Sequence, residues 1–186
     1  MLQLTIMKIT VRPATHDDIE FLVRGNKEMA HETENLALDI DRLRRGVHAV
    51  FDDPSRGFYL IAEINSTRAG QMMITYEWSD WRNGAFWWIQ SVYVRPEFRR
   101  LGVYTRLYRY VRSLAAKSGS VCGFRLYVER DNRRAQKTYR RAGMHLTHYL
   151  MYEALKPGVR FFTPAAGAAA PSSRRRRART ARRTRS

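Results

Sequence analysis

The chain has 186 residues, 44% of them hydrophobic, and carries a formal net charge of +17 at pH 7. This length suits one domain with a sizeable core, while no apolar run approaches the roughly 20 residues of a membrane span, and the first residues lack the pattern of a signal peptide. The single cysteine, Cys122, cannot form an internal disulfide, so we expect a reduced, cytoplasmic setting. Because there is no long apolar run, we also expect no membrane association.

Capping residues, breakers and hydrophobic spacing divide the chain into ten elements. The predicted elements are, in chain order, strand 8–12, helix 15–31, helix 39–51, strands 58–64, 70–76 and 85–94, helix 102–118, strand 124–128, helix 131–142 and strand 144–153. Thr15 and Asp18 form a capping box at the first helix, and residues 77–84 form a polar turn. This order predicts an α/β fold with a mixed, mostly antiparallel central sheet and helices on both faces.

The C-terminal residues differ in composition from the rest of the chain. Residues 165–173 are a linker rich in Ala, Gly, Ser and Pro, and residues 174–186 carry eight arginines and no acidic residue. A run of like charge without apolar residues cannot form a core, so we expect one domain over residues 1–160 and a linker with a disordered tail over residues 161–186. The tail could contact nucleic acid weakly by counterion release, although a solvated extension without a function explains it equally well.

The body of the chain is basic even without the tail. When the last thirteen residues are left out, 26 basic residues face 17 acidic ones. A surplus of this size fits an anionic ligand but does not require one.

The turn between the apolar strand 85–94 and the following helix has the composition of an anion site. It reads RRLGVY at residues 99–104, with Gly102 at the start of the helix. The first amides of a helix have no partner within it, and the positive end of the helix dipole faces the same way. The turn therefore predicts a site for a phosphate or pyrophosphate group, although glycine also occurs in such turns for steric reasons alone.

A second segment, about thirty residues further on, supplies an amide and a phenol on another helix. It reads N-x-x-A-x-x-x-Y-x-x-x-G-M from Asn132 to Met144, where x is any residue. Taken together, the two segments resemble the GNAT family of acyl-CoA-dependent N-acyltransferases, and the resemblance covers residues 8–155. It implies the fold of that family, acetyl-CoA as the cofactor, and direct transfer of an acetyl group without an acyl-enzyme.

The resemblance implies a set of residues that contact coenzyme A. Gly102 would let the backbone approach the diphosphate closely, and the adjacent arginines would add charge. The strand before the turn would pair with the pantetheine arm where it splays from the next strand, and an N–H near Val92 would face the thioester oxygen. The implied residues are Val92, Tyr93, Val94, Arg99, Arg100, Leu101, Gly102, Val103, Tyr104, Thr105, Asn132 and Tyr139.

Three of these positions keep a second interpretation. Tyr104 stands where the family has Gly or Ala, so its ring must point away from the phosphates. Asn132 could instead cap the helix that follows it, and Tyr139 could be a packing residue at helical spacing. In the catalytic interpretation, Tyr139 protonates the departing coenzyme thiolate as a general acid.

The general base is marked less clearly, because strand 85–94 contains no acidic residue. An amine must lose a proton before or during attack, so the base must come from a neighbouring loop or from water. We expect Glu77, at the end of the adjacent strand, to be the base, with a water relay as the alternative. The residues expected to line the acceptor site are Glu32, Glu34, Trp78, Asp80 and Gln90. The tryptophan could hold a cationic amine by cation–π contact.

No motif marks a metal site, and His145 and His148 would point to opposite faces of the predicted strand, so we expect no metal. The sequence predicts an acetyl-CoA-dependent N-acetyltransferase that acts on a small-molecule amine, as a monomer or a homodimer. A protein N-terminus or a lysine is the alternative acceptor. A CoA-binding or nucleic-acid-associated protein without catalytic activity is the alternative from another class.

Overall fold

The computed structural model describes residues 7–157 and 162–164. The Arg-rich tail and the predicted linker lie outside the described residues. The elements are, in chain order, β1 (Ile9–Pro13), α1 (Ile19–Glu34), β2 (Leu36–Leu38), α2 (Ile40–Asp52), β3 (Phe58–Ile64), β4 (Thr67–Ser79), β5 (Gly84–Val94), α3 (Val103–Ala116), β6 (Val121–Arg125), α4 (Arg133–Arg141) and β7 (Phe162–Pro164).

Five strands form the central sheet, in the order β1-β3-β4-β5-β6. The first three pairings are antiparallel, whereas β5 and β6 run parallel. This mixed, mostly antiparallel sheet confirms the predicted α/β fold. A separate antiparallel pair joins β2 to β7, which lies on the C-terminal side of the expected boundary at residue 160.

Two hydrophobic clusters cover the two faces of the sheet, as predicted for helices on both sides. On one face, Leu107 and Val111 of α3 are fully buried against side chains of β3, β4 and β5. On the other face, Leu22 of α1 and Val47 of α2 pack against Ile61. Because side chains alternate along a strand, each strand sends every second residue to the α3 side and the others to the α1–α2 side.

The predicted capping box at Thr15 is present. The Thr15 amide donates to the Asp18 carboxylate over 2.8 Å, and a single turn of 3-10 helix precedes α1. Asp18 is fully buried and also accepts from both terminal nitrogens of Arg12, at 2.6 and 3.0 Å, and from Nε of Arg68, at 2.6 Å. This one carboxylate therefore ties β1, α1 and β4 together.

The predicted strand bounds were wrong around the polar turn. Instead of ending at residue 76, β4 continues to Ser79, because Glu77 and Trp78 pair with Phe86 and Ala85 of β5. Polar side chains had indicated a turn, but they occupy one face of a paired strand, which tolerates them. β6 starts at Val121 rather than at residue 124, since its pairing with β5 begins at Ala85.

The predicted strand over residues 144–153 was wrong. These residues form no strand in the described structure, and the side chains of Leu146, Tyr149, Leu150 and Tyr152 are exposed. An alternating apolar pattern indicates what a segment would bury if it paired, but a strand also needs an edge that accepts its hydrogen bonds. His145 and His148 therefore lie on irregular backbone.

Candidate active site

The candidate site is an opening between β5 and β6, where the two strands stop pairing. The two strands pair only from Ala85 with Val121 to Trp88 with Arg125, after which β6 ends. Residues 89–94 of β5 stay paired with β4 on one side. On their other side, the described residues supply no strand partner, so every second residue directs its N–H and C=O into an open wedge. An extended ligand could add to this edge as a further strand.

A β-bulge in β5 marks the point where the wedge begins. The register against β4 runs from Ile74 with Ile89 directly to Met73 with Ser91, which leaves Gln90 as the extra residue. As a result, Ile89 and Val92, three positions apart, both pack on the α3 side. Bulges re-aim side chains, and this one turns both Gln90 and Ser91 towards the α1–α2 side.

The turn after β5 leads into the N-terminus of α3. Gly102 caps the helix with φ of 87°, and Arg100 also has a positive φ, of 68°. A Cβ atom placed on Gly102 would have no heavy atom within 4 Å, so the space in front of the first helical turn is open. Its amides face outward with the positive end of the helix dipole, which is the arrangement that a diphosphate needs.

Arg99 and Glu32 form a contact that the sequence did not predict. The Arg99 guanidinium donates to both carboxylate oxygens of Glu32, at 2.9 and 2.7 Å, and its Nε donates to the Val94 carbonyl at 2.9 Å. This residue therefore links the end of α1 to the end of β5. Arg100, Leu101 and Gly102 are exposed.

Tyr104 and Tyr139 meet between α3 and α4. Their ring centroids lie 5.5 Å apart in an edge-on arrangement, and Tyr104 also stacks on Tyr108 at 5.9 Å. The Tyr104 ring thus points into the core and leaves its amide at the helix N-terminus. Its hydroxyl is buried without a hydrogen-bond partner, as is that of Ser91. Burial raises the pKa of Tyr139, so its phenol stays protonated well above neutral pH.

Asn132 caps α4. Its Oδ1 accepts a hydrogen bond from the Ala135 amide over 3.0 Å. The interpretation as an N-cap, which the sequence left open, is thus what the structure shows, and a cofactor contact would have to use the side-chain amide nitrogen.

Glu77 lies at the apex of the wedge. Its carboxylate accepts from the indole nitrogen of Trp88 and from the guanidinium of Arg125, the last paired residues of β5 and β6. Burial acts to raise the pKa of Glu77, but the hydrogen bonds from Trp88 and Arg125 outweigh it, and the pKa falls below its ordinary value. Glu77 is therefore ionised at neutral pH.

Sequence reasoning missed Tyr127 and Arg125. The Tyr127 hydroxyl accepts from Nε2 of Gln90 over 2.6 Å, and its ring lies 6.0 Å from that of Trp88, so this side chain bridges the wedge. Burial and the charge of Glu34 raise the pKa of Tyr127. Arg125 and Tyr127 are two residues apart, so strand alternation could have indicated that their side chains share one face of the predicted strand 124–128, which lies beside β5.

The expected acceptor residues are only partly brought together. Glu34 is the last residue of α1, and burial together with its charge raises the pKa of Tyr127. Gln90 donates a hydrogen bond to the Tyr127 hydroxyl. Trp78 follows Tyr76 on the α3 side of β4, across the sheet from Glu77, and 62% of its surface is exposed. Asp80 accepts from the Trp81 amide in the exposed turn after β4.

The described residues contain no group of three or more metal-ligating side chains, and no helix among them is long and apolar enough to cross a membrane.

A wedge beside a parallel strand pair, followed by an open helix N-terminus, defines a class of acyltransferase, and comparison with known proteins gives the family. The model of the acetyltransferase (GNAT) family matches residues 18–144. A possible acetyltransferase from Clostridium difficile 630 is 42% identical, with a TM-score of 0.75, over 80% of this chain and 97% of that one. The chain therefore belongs to the acetyltransferase (GNAT) family.

Two further relatives have more specific names. Thialysine N-epsilon-acetyltransferase from Caenorhabditis elegans is 26% identical over 113 residues, which are 61% of this chain and 67% of that protein. The structure of aminoglycoside N-acetyltransferase AAC(6')-Iy in complex with CoA has a TM-score of 0.70 at 14% identity, over 83% of this chain and 99% of that one. At this identity, the second likeness concerns the fold alone.

Proposed function

We propose that this protein transfers an acetyl group from acetyl-CoA directly to the primary amine of a small molecule. The observation that carries the proposal is the open edge of β5, which leads through the turn to the exposed N-terminus of α3. The name of the thialysine acetyltransferase among the similar proteins supports a small-molecule amine as the acceptor.

The residues around the wedge fit coenzyme A. The amides from Gly102 to Thr105, together with Leu101 and Arg100, bind the diphosphate, and the room in front of Gly102 supports its close approach. Main-chain groups of residues 92–94 hold the extended arm as an added strand, although the Val94 carbonyl already accepts from Arg99. When bound, acetyl-CoA supplies the acetyl thioester and a thiolate leaving group.

The acceptor side supplies charge and proton transfer. Glu34 contributes a negative charge to this side of the wedge, whereas the charges of Glu32 and Glu77 are paired with Arg99 and Arg125. Glu77 receives the proton of the amine through a water molecule, because Trp88 and Arg125 occupy its oxygens. An N–H near Val92 stabilises the charge that develops on the carbonyl oxygen, and Tyr139 donates a proton to the departing sulfur.

An amine panel tests the proposal. The full chain is mixed with acetyl-CoA and small amines, lysine-containing peptides or peptides with a free N-terminus, and free thiol is followed with time. Because Cys122 is exposed, the assay uses a Cys122→Ser background, which removes the thiol of the protein itself. We expect release with at least one small amine. Release with peptides alone would overturn the small-molecule acceptor.

Coenzyme binding without thiol release would overturn the enzymatic proposal. Binding is measured separately by calorimetry with coenzyme A. Tight binding together with no release for any amine would favour the CoA-binding protein without catalytic activity.

A further inference from the structure

Charge is distributed very unevenly along the chain. Residues 14–97 contain 14 acidic and nine basic residues, whereas residues 98–152 contain 13 basic residues and only two acidic ones. Five of the ion pairs in the described structure lie wholly within the first of these segments, and two more join it to Arg12. The part of the molecule that contains α3 and α4 is therefore strongly cationic.

The cations of α4 form one continuous stripe, which we call the α4 stripe. Five of the nine residues of this helix are basic, and all five are exposed: Arg133, Arg134, Lys137, Arg140 and Arg141. At 100° per residue they fall within one side of the helix. Within residues 7–157, none of the five has a carboxylate within ion-pairing distance.

The α4 stripe places like charges close together on one short helix. Like charges three or four residues apart repel each other, and here Lys137 lies at that spacing from Arg133, Arg140 and Arg141. Cations in the first turn also oppose the helix dipole. Arg140 and Arg141 in the last turn do favour the helix dipole, but none of the five cations forms an ion pair in the described structure, and an anion lying along the stripe would relieve the repulsion.

We propose that the α4 stripe binds the phosphate backbone of a nucleic acid without reading its sequence. From first to last cation, the stripe spans about 12 Å at 1.5 Å per residue, which matches three or four phosphates of one strand. Arg106, Arg109 and Arg112 on the outer side of α3 are also exposed, without a carboxylate partner in the described chain, and extend the cationic surface.

A nucleic acid fits this helix better than a lipid surface does. A helix that lies in a membrane interface inserts an apolar face opposite its charged one. The apolar side of α4 is already occupied, because the Tyr139 ring packs on Tyr104 and Ala142 packs on the core cluster of α3. Only the charged side is left for a partner, and it carries no large apolar side chain.

The test compares two triple variants of the full chain with equal changes in charge. One carries Lys137→Gln, Arg140→Gln and Arg141→Gln in the α4 stripe. The control carries Arg24→Gln, Lys27→Gln and Arg45→Gln, three exposed cations of α1 and α2. Binding to fluorescent 20-nucleotide single-stranded RNA and to duplex DNA is measured between 50 and 200 mM salt.

We expect the stripe variant to bind at least about tenfold more weakly, with a salt slope smaller by about 2, because each lost phosphate contact removes about 0.7 to 0.9 from the slope. The control variant should change affinity less than twofold. Equal losses in both variants, or no loss in either, would overturn the proposal and leave the Arg-rich tail as the source of any binding. Binding to anionic phosphatidylserine vesicles in place of nucleic acid would overturn it as well.

Two further readouts separate this proposal from misfolding and from the acetyl-transfer proposal. The stripe variant loses the repulsion between like charges and also the favourable position of Arg140 and Arg141 at the end of the helix, so we expect little change in its melting temperature. A melting temperature close to that of the unsubstituted chain shows that weak binding does not result from unfolding. Release of free thiol should be unchanged, because the three substituted residues lie outside the wedge. Loss of nucleic-acid affinity with normal acetyl transfer supports the stripe on its own.

Discussion

At the scale of single residues, Glu77 has two strong donors where an exposed glutamate usually has water. Trp88 and Arg125 hold it at the point where β5 and β6 part. This arrangement keeps the carboxylate ionised and fixes its position. The lowered pKa also makes it a weaker base than a free glutamate, so in the proposed mechanism it accepts the proton through a water molecule that it orients.

Replacing Glu77 by Gln keeps the shape but removes the charge and the basicity. We expect kcat/KM for the amine to fall on the order of 100-fold, with acetyl-CoA affinity unchanged. Steady-state kinetics at pH 7.5 checks this, because Glu77 has a lowered pKa and is ionised throughout the range in which the amine reacts. Asp80→Asn, an acidic residue of the exposed turn, is the matched control. Equal losses in the two variants would contradict the role.

The phenol of Tyr139 has its pKa raised by burial, so it is a proton donor at neutral pH. Tyr139→Phe should lower kcat on the order of 100-fold and change the Kd for coenzyme A by less than twofold. Tyr104→Phe serves as the control, because it removes a neighbouring buried hydroxyl. Equal losses in turnover and in affinity for Tyr139→Phe would indicate a packing residue instead.

At the scale of elements, the start of α3 depends on the backbone of Gly102. Gly102→Ala meets no steric contact but requires a positive φ, which costs about 1 kcal/mol for a residue with a Cβ atom. We expect a lower melting temperature together with a weaker affinity for coenzyme A, measured by calorimetry, because the amides of the first turn shift.

Two other glycines provide controls for that substitution. Gly143 has the same φ of 87° and open surroundings, so Gly143→Ala should lower stability by a similar amount without changing coenzyme affinity. Gly119→Ala, at an open position without the positive φ, should change neither. If all three variants bound coenzyme A equally well, the turn would not be the diphosphate site.

The elements also show what a sequence can predict. The helices were predicted to within a few residues because their apolar spacing and caps, such as Thr15 and Asn132, are local features. The bounds of β6 and the absence of a strand over residues 144–153 depend on which strands pair in the assembled sheet, which local sequence does not determine. The turn before α3 could be predicted, since its glycine and position are local.

The candidate site follows the same division. The motif residues of α3 and α4 can be recognised from their local spacing, and their roles remain predictions. The hydrogen bond between Gln90 and Tyr127 and the pairing of Glu77 with Arg125 join residues 37 and 48 positions apart, so local sequence could not predict them. Strand alternation alone places Trp78 across the sheet from Glu77, which the predicted turn had hidden.

At the scale of the whole molecule, Asp18 makes stability depend on pH. Burial acts to raise the pKa of Asp18, but hydrogen bonds from Arg12, Thr15 and Arg68 outweigh it and hold the pKa well below its ordinary value. A carboxylate whose pKa is lowered in the folded state stabilises the protein at any pH above its pKa in the unfolded chain, which is about 3.9. This stabilisation is lost as the pH falls below that value towards the pKa of the folded state.

We therefore expect the free energy of unfolding to decrease as the pH falls from 5 to 3. Asp18→Asn should destabilise the protein by about 2 kcal/mol at pH 7, less than for a fully buried pair because the two arginines are partly exposed. Urea unfolding at several pH values checks both points. In Asp18→Asn, the free energy of unfolding should decrease less between pH 5 and 3. In the exposed control Asp41→Asn, it should decrease as much as in the unsubstituted protein.

The contact between Arg99 and Glu32 has a consequence for the order of events. The Arg99 guanidinium joins Glu32, at the end of α1, to the turn that we propose binds the diphosphate, so an anion arriving at the turn would compete with Glu32 for Arg99. Coenzyme in place would free a carboxylate to receive the incoming ammonium group. Linkage then requires the two ligands to strengthen each other's affinity by the same factor, and we expect that factor to fall to about one in Glu32→Gln.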